Sequence, residues 1–265
     1  MVQPVSDDQL ATEGLQLRNH GRVLLIACGA LAREILAVMK ANQWQHMDLQ
    51  CLPAIYHNTP DKITPAVKTY IEKYRGDYAQ IFVVYADCGT GGQLQTLCDE
   101  MGVSMIAGPH CYSFFEGNAA FEAREELTCF YLTDFLVRQF DAFFWRPMGL
   151  DKHPQLRDMY FGNYTTLVYQ AQLKDAALEA KAQDCARRMG LAFEYRYTGY
   201  GDLTPALAAL APLQKELKGT VHPDRIASEA PVELALQPQP LGLTDRYRLL
   251  LSHPHPAHLR HAAGI

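Results

Sequence analysis

The sequence predicts an α/β protein with a three-layer, mostly parallel, Rossmann-like sheet and helices on both faces. Two observations indicate this fold class. Short, continuous apolar runs alternate four times with amphipathic segments in the N-terminal part of the chain, a pattern typical of buried parallel strands joined by helical crossovers. The chain also has 265 residues, of which 48% are hydrophobic, enough to bury a large core without disulfides.

The predicted elements follow one another in a regular order. Apolar runs predict strands at 22–27, 49–56, 80–85 and 103–107. Between them, apolar residues recur at helical spacing in 31–39, 59–75 and 94–101. Further along we expect a strand at 126–131, an aromatic-rich helix at 133–146, a strand–helix–strand unit at 165–170, 174–189 and 191–197, and a helix at 202–218.

The domain organisation predicted from these elements is simple. Residues 1–18 are expected to form a flexible N-terminal segment, and residues 19–218 a single α/β domain. Within that domain, the segment 133–164 could form a helical lid over a cleft. Residues 219–265 are rich in proline and histidine, and we expect them to form a C-terminal tail.

Composition and charge disfavour several classes of protein. The net charge of −5 argues against nucleic-acid and membrane-surface partners, which require a basic face. No apolar run is long enough to span a membrane, and the polar, acidic start of the chain does not resemble a signal peptide. Seven cysteines are an odd number, so reduced thiols in a cytoplasmic protein are favoured over a disulfide framework.

Cysteine or histidine follows each of the first four predicted strands. Cys28 follows the first strand, His57 the second, Cys88 the third and Cys111 the fourth. Because the carboxyl ends of parallel strands meet at one edge of a sheet, these side chains are expected to lie close together. Each thiol would also lie near a helix N-terminus, which favours the thiolate and lowers the thiol pKa.

These four residues form a candidate metal site. Three thiolates and one imidazole suit tetrahedral Zn²⁺, and an iron–sulfur cluster is the alternative. An open fourth position, taken by water or a small thiol instead of His57, would indicate catalysis. Gly29, Gly89 and Gly91 are expected to permit tight turns and close approach of the backbone to a cofactor.

Three further residues are candidates for proton transfer. His110 precedes Cys111, and neighbouring side chains diverge, so we expect His110 to act as an acid or base and not as a ligand. Asp87 and Glu116 are candidate proton carriers or partners of the metal ligands. A metal-free alternative uses Cys88 as nucleophile and His110 as base.

Four motifs resemble the DUF1638 family of uncharacterised prokaryotic proteins. They are ACGAL at 27–31, YHNTPDKI at 56–63, YADCG at 85–89 and PHCYSFFEG at 109–117. Family members carry Tyr-Gly-x-Cys-Gly where this chain has Ala86, and His-Asp-Cys where it has Pro109, His110 and Cys111. The cysteines are thus kept, whereas the histidine is displaced.

The resemblance implies a role in one-carbon metabolism. Similar proteins are often encoded beside corrinoid-dependent methyltransferases, which suggests a zinc-thiolate protein of corrinoid-linked methyl transfer. The partners so implied are a small-molecule thiol or methyl donor, a corrinoid protein, or the corrinoid cofactor itself. The alternatives are a non-catalytic partner or reactivation factor for a corrinoid protein, and a metal-free thiol enzyme.

Overall fold

The computed structural model describes residues 5–210 and contains two β-sheets. The first sheet has the strand order β1-β3-β2-β4-β5. Its strands are β1 (Leu15–Leu17), β2 (Val23–Cys28), β3 (Met47–Leu52), β4 (Gln80–Val84) and β5 (Ser104–Met105). Only β1 is antiparallel to its neighbour. The sheet is therefore mostly parallel, as the alternating pattern predicted.

The second sheet is parallel throughout, in the order β6-β7-β8. Its strands are β6 (Cys129–Thr133), β7 (Thr166–Ala171) and β8 (Ala192–Tyr197). The sequence predicts one sheet, and this prediction was wrong, because β6, β7 and β8 form a separate sheet. At the far end of the first sheet, β5 pairs with β4 over two residues, which leaves only a short edge that another strand could extend. The three-layer, Rossmann-like arrangement stays a prediction.

Helices connect these strands in a mixed α/β arrangement, which confirms the predicted class. They are α1 (Asp7–Thr12), α2 (Ala32–Ala41), α3 (Ile63–Tyr74), α4 (Gln93–Met101), α5 (Cys111–Glu116), α6 (Asn118–Arg124), α7 (Asp134–Arg138), α8 (Arg157–Phe161), α9 (Ala176–Met189) and α10 (Leu203–Ala208). No helix among the described residues is long and apolar enough to cross a membrane.

One continuous core contacts both sheets. All six residues of β2 are buried, because this strand has a neighbour on each side and helices over it. Leu25 and Phe82 of the first sheet belong to the same apolar cluster as Phe130 and Leu167 of the second. The two sheets are thus joined by packing and not by strand hydrogen bonds.

Several predicted boundaries were wrong, and proline accounts for two of them. β3 ends at Leu52 because Pro53 starts a 3₁₀ turn over Ala54–Asn58. The next helix begins at Ile63, after a second 3₁₀ turn over Pro60–Lys62. Proline lacks the amide hydrogen that would continue the regular pattern.

Two other segments differ from the prediction. The expected flexible lead-in forms α1 and β1, and Leu10 is buried. The expected helix at 133–146 divides into α7 and a π-helical turn over Asp141–Trp145. The predicted tail at 219–265 and the end of the helix at 202–218 lie outside the described residues, so the structure does not test them.

Candidate functional site

The candidate site lies where the chain changes direction across the first sheet. From β2 the chain passes to β3 on one side, and it then returns to place β4 on the other side of β2. Such a switch point leaves a crevice beyond the carboxyl ends of the two central strands, the usual place for a ligand in an open α/β sheet. Cys28 ends β2, and Cys88 lies in the loop after β4.

One cavity of about 40 Å³ occupies this crevice. Its lining includes all three predicted thiols and both predicted histidines, which are Cys28, Cys88, Cys111, His57 and His110. The Sγ atoms of Cys88 and Cys111 are 3.1 Å apart. The remaining walls are mostly apolar and include Leu31, Ile63, Phe115, Leu136 and Phe143. Residues from four separate strand exits therefore meet around one small space.

Cys28 is held by close backbone packing at the end of β2. It precedes a 3₁₀ turn over Gly29–Leu31, and its side chain is buried. A Cβ atom on Gly29 would lie 2.4 Å from the carbonyl oxygen of Leu10. Only glycine therefore fits at this position, and Gly29 allows α1 to pack closely against the loop. The cofactor-binding role that we predicted for Gly29 stays untested.

Cys88 has a backbone conformation that L-amino acids adopt rarely. Its φ is +46°, and Gly89 follows with φ +83°. The neighbouring loop fixes this turn, because the amide of Asp87 donates to the carbonyl of Gly108 at 3.1 Å and the amide of Cys88 donates to that of Pro109 at 3.2 Å. A non-glycine residue in the left-handed region persists only where surrounding contacts determine it. The two loops thus carry Cys88 and Cys111 as one unit.

The Asp87 carboxylate organises the loop that carries Cys88. It accepts hydrogen bonds from the Thr90 hydroxyl at 2.7 Å and from the amides of Gly91 and Gly92 at 3.2 and 2.6 Å. Asp87 is absent from the residues that line the cavity, as are Gly89 and Gly91. Its position supports an ordering role, and the proton-carrier role stays a prediction.

Asp87→Ala is expected to lower the free energy of unfolding by about 1 to 3 kcal/mol, because three donors lose their acceptor. Asp87→Asn keeps one side-chain oxygen and should lose less. Urea unfolding of the two variants beside the parent protein measures both effects. Equal stability of Asp87→Ala and the parent would show that the carboxylate does not hold this loop.

The environment of the thiols differs from the sequence-based expectation. The helix N-termini were expected to lower the thiol pKa values, but the pKa of Cys28 is raised well above its usual value. The hydrogen bond with the Cys111 thiol is the largest cause, followed by burial. For Cys111, the bond with Cys28 lowers the pKa, but the bond with Cys88 and burial outweigh it, so the net pKa is raised.

The low polarity of the cavity has the opposite effect on the two imidazoles. Burial lowers the pKa of both His57 and His110 to about 4, because an apolar environment disfavours the charged form. Both rings are therefore neutral at pH 7, which is the form that ligates a metal. His110 also stacks on Tyr112, with ring centroids 4.7 Å apart.

The model of the family described as "Protein of unknown function (DUF1638)" matches residues 51–207, which is more than half of the chain. The chain belongs to the DUF1638 family. The matched region includes His57, Cys88 and Cys111, whereas Cys28 precedes it. Neither the curated proteins nor the solved structures contain a match.

In this DUF1638 chain, Glu116 belongs to an ion network and does not line the cavity. Its carboxylate pairs with Arg196 at 2.9 Å and accepts from the Gln170 amide at 3.0 Å. Arg196 also contacts Glu126 and Glu194. These contacts fix α5 against the second sheet, so Glu116 has a structural explanation, and its predicted catalytic role stays untested.

Tyr85 is a cavity residue of the DUF1638 chain that the sequence analysis missed. Its side chain is 1% exposed and its hydroxyl lacks a conventional hydrogen-bond partner among residues 5–210. The Cys28 thiol lies near enough to affect its titration, and burial raises the pKa of Tyr85 well above its usual value. The available signal was a tyrosine directly after an apolar strand, in the loop that carries Cys88.

Within the described range, no group of three or more Cys, His, Asp or Glu side chains has the geometry of a ready metal site. The Sγ atoms of Cys88 and Cys111 are in hydrogen-bond contact at 3.1 Å, which is closer than two ligands of one zinc ion would be. A metal would have to displace the protons and move the two sulfur atoms apart.

Proposed function

We propose that this protein binds a thiophilic metal ion, with Zn²⁺ the favoured ion, through Cys28, Cys88 and Cys111. The observation that supports this is the meeting of three thiols at the switch point of a parallel sheet. His57 is the proposed fourth ligand, and a small thiol or water would take its place in a catalytic form. The family relationship by itself assigns no reaction.

The donor set fits zinc after a small adjustment. Two thiolates bound to one tetrahedral zinc ion at about 2.3 Å lie about 3.8 Å apart. The Cys88 and Cys111 sulfur atoms are 3.1 Å apart, so side-chain rotation must separate them by less than about 1 Å. The neutral imidazole of His57 lies on the same cavity and needs no deprotonation to bind.

The chemistry of the cavity favours metal binding over a free nucleophilic thiol. The pKa of both Cys28 and Cys111 is raised, so few thiolates are present at pH 7 without a cation. A bound metal stabilises thiolates and releases their protons. The Tyr85 hydroxyl beside Cys28 can then donate a hydrogen bond to a thiolate sulfur, as partners of metal ligands commonly do.

The size of the cavity favours a single ion. A space of about 40 Å³ suits one ion with a small ligand, whereas an iron–sulfur cluster or a corrinoid requires more room. For this reason we favour zinc over the cluster and place any corrinoid on a partner protein. A cytoplasmic location fits a site built from reduced thiols and is part of the same proposal.

The proposed reaction class is methyl transfer to or from a small thiol. A zinc ion with three thiolate ligands and an exchangeable fourth position supplies a bound thiolate nucleophile at neutral pH. In this proposal the cysteines would hold the ion, the apolar walls would exclude water, and the neutral ring of His110 would accept a hydrogen bond from the incoming thiol. A non-catalytic partner of a corrinoid protein would use the same metal site without turnover.

Elemental analysis of protein prepared without a histidine tag tests the proposal. We expect about one zinc per chain in the parent protein, and a loss of most of it in Cys28→Ser, Cys88→Ser and Cys111→Ser. Cys129→Ser is the matched control, because Cys129 lies on β6 and is absent from the cavity lining. Unchanged metal content in all three site variants, or no metal in the parent even after zinc is supplied, would reject the metal site.

A further inference from the structure

The contact between Cys88 and Cys111 carries a second consequence for the same cavity. Their Sγ atoms are 3.1 Å apart, closer than two non-bonded sulfur atoms usually lie. A disulfide bond needs a separation of about 2.05 Å, so about 1 Å of closure is sufficient. We infer that Cys88 and Cys111 form a reversible disulfide, which makes this pair an oxidisable dithiol.

The backbone holds the two thiols in this relation. The amides of Asp87 and Cys88 donate to the carbonyls of Gly108 and Pro109, so the two cysteine loops are tied together beside the sulfur atoms. Cys88 adopts a φ of +46°, a conformation that surrounding contacts must maintain. Since the folded protein already holds the loops together, little further conformational entropy is lost when the bond forms.

Exposure makes the pair accessible to a small oxidant. Cys111 is partly exposed, whereas Cys28 and Cys88 are buried. A hydroperoxide of the size of hydrogen peroxide fits a cavity of about 40 Å³. Cys111 is therefore the thiol that meets the oxidant, and Cys88 is the resolving thiol beside it.

The reaction balances with hydrogen peroxide as the oxidant. The Cys111 sulfur attacks one peroxide oxygen, an S–O bond forms, the O–O bond breaks, and the departing hydroxide takes the thiol proton to leave as water. The Cys88 sulfur then attacks the sulfenic sulfur of Cys111. The S–S bond forms, the S–O bond breaks, and a second water leaves with the Cys88 proton.

The disulfide would exclude the metal from the proposed site. Both sulfur atoms would then be neutral and bonded to each other, and thiolates are the form that binds metals. This consequence rests on the proposed function, whereas the disulfide itself rests only on the contact between the two thiols. Oxidation would release the ion, and reduction by a dithiol would restore the site.

Peptide mapping of metal-free protein tests the disulfide directly. Trypsin leaves both cysteines in the fragment 76–124, so cleavage after glutamate is required. Cleavage after Glu72, Glu100 and Glu116 separates Cys88 from Cys111. After hydrogen peroxide treatment we expect a cross-linked pair of peptides that is about 2 Da lighter than the two free peptides and is lost on reduction.

Controls assign the bond to these two residues. Tandem mass spectrometry distinguishes Cys88 from Cys98, which shares its fragment. Cys129→Ser should keep the cross-link, whereas Cys88→Ser should lose it and accumulate a sulfenic acid on Cys111 that dimedone traps. A cross-link from Cys111 to Cys28, or oxidation of Cys111 to the sulfinic acid without any cross-link in the parent protein, would overturn the inference.

Zinc measurements separate this inference from the proposed function. If the cross-link forms but the reduced protein binds no zinc, the dithiol stands and the metal site fails. If zinc binds but peroxide produces no cross-link in the metal-free protein, the metal site stands and the dithiol fails. If both stand, peroxide should release most of the bound zinc from the parent protein. Cys129→Ser should release the same share, because it keeps both site cysteines.

Discussion

Asp134→Ala is expected to lower the free energy of unfolding by about 3 to 5 kcal/mol. Asp134 is 1% exposed, and its carboxylate accepts hydrogen bonds from the Tyr169 hydroxyl and from the amides of Gln172 and Leu173 at 2.8 to 3.1 Å. Removing the acceptor leaves these donors without a partner in or beside the core. These bonds also fix the start of α7 to the end of β7, next to the cavity residues Thr133 and Leu136.

Two variants show whether the hydrogen bonds cause this effect. Asp134→Asn keeps one accepting oxygen and should lose roughly half as much stability. Asp158→Ala removes an exposed carboxylate with a side-chain exposure of 79% and should change stability by less than about 0.5 kcal/mol. Urea unfolding measures all three. If Asp134→Ala were as stable as Asp158→Ala, the buried carboxylate would contribute nothing.

The parent protein is expected to lose about 3 kcal/mol of its free energy of unfolding as the pH rises, and Glu34→Gln should remove this loss. Glu34 lies on α2, is 5% exposed, and burial raises its pKa from 4.5 to about 7. Arg138 and Arg33 oppose the shift, while Asp134 adds to it. The folded state keeps the Glu34 carboxyl protonated up to about pH 7. Its contribution to the free energy of unfolding is therefore fully present below pH 4.5. That contribution is lost as the pH rises through about 7.

Urea unfolding at about pH 5 and about pH 8 measures this dependence. Between these values the parent protein should lose about 2 to 3 kcal/mol more than Glu34→Gln, and the variant should be the more stable at the higher pH. Glu72→Gln on the exposed face of α3 is the matched control. Parallel pH profiles of the parent and Glu34→Gln would contradict the raised pKa.

The thiol environment shows how packing changes the chemistry of a residue. The position of Cys111 at the start of α5 predicts a lowered pKa, because helix N-termini favour anions. The structure instead surrounds Cys111 with two other thiols and an apolar wall. Helix α5 has six residues, so its dipole is weak beside the cost of burying charge.

The alternation of strands and helices, the strand exits and the residue types that follow them could all be predicted from the sequence. An apolar run such as that of β2 reports burial on both faces, and parallel strands bring their carboxyl ends to one edge. The sequence therefore predicts that Cys28, His57, Cys88 and Cys111 lie close together. The motifs at 27–31, 56–63, 85–89 and 109–117 were sufficient to identify the family.

The way in which those residues meet depends on contacts between segments that are distant in sequence. The order of strands in the first sheet, the separation of the second sheet and the left-handed turn at Cys88 depend on contacts between distant segments. The same contacts pair Glu116 with Arg196, enclose Tyr85 and raise the thiol pKa values. Hydrogen-bond geometry and burial act through space, so the pattern of residues along the chain cannot specify them.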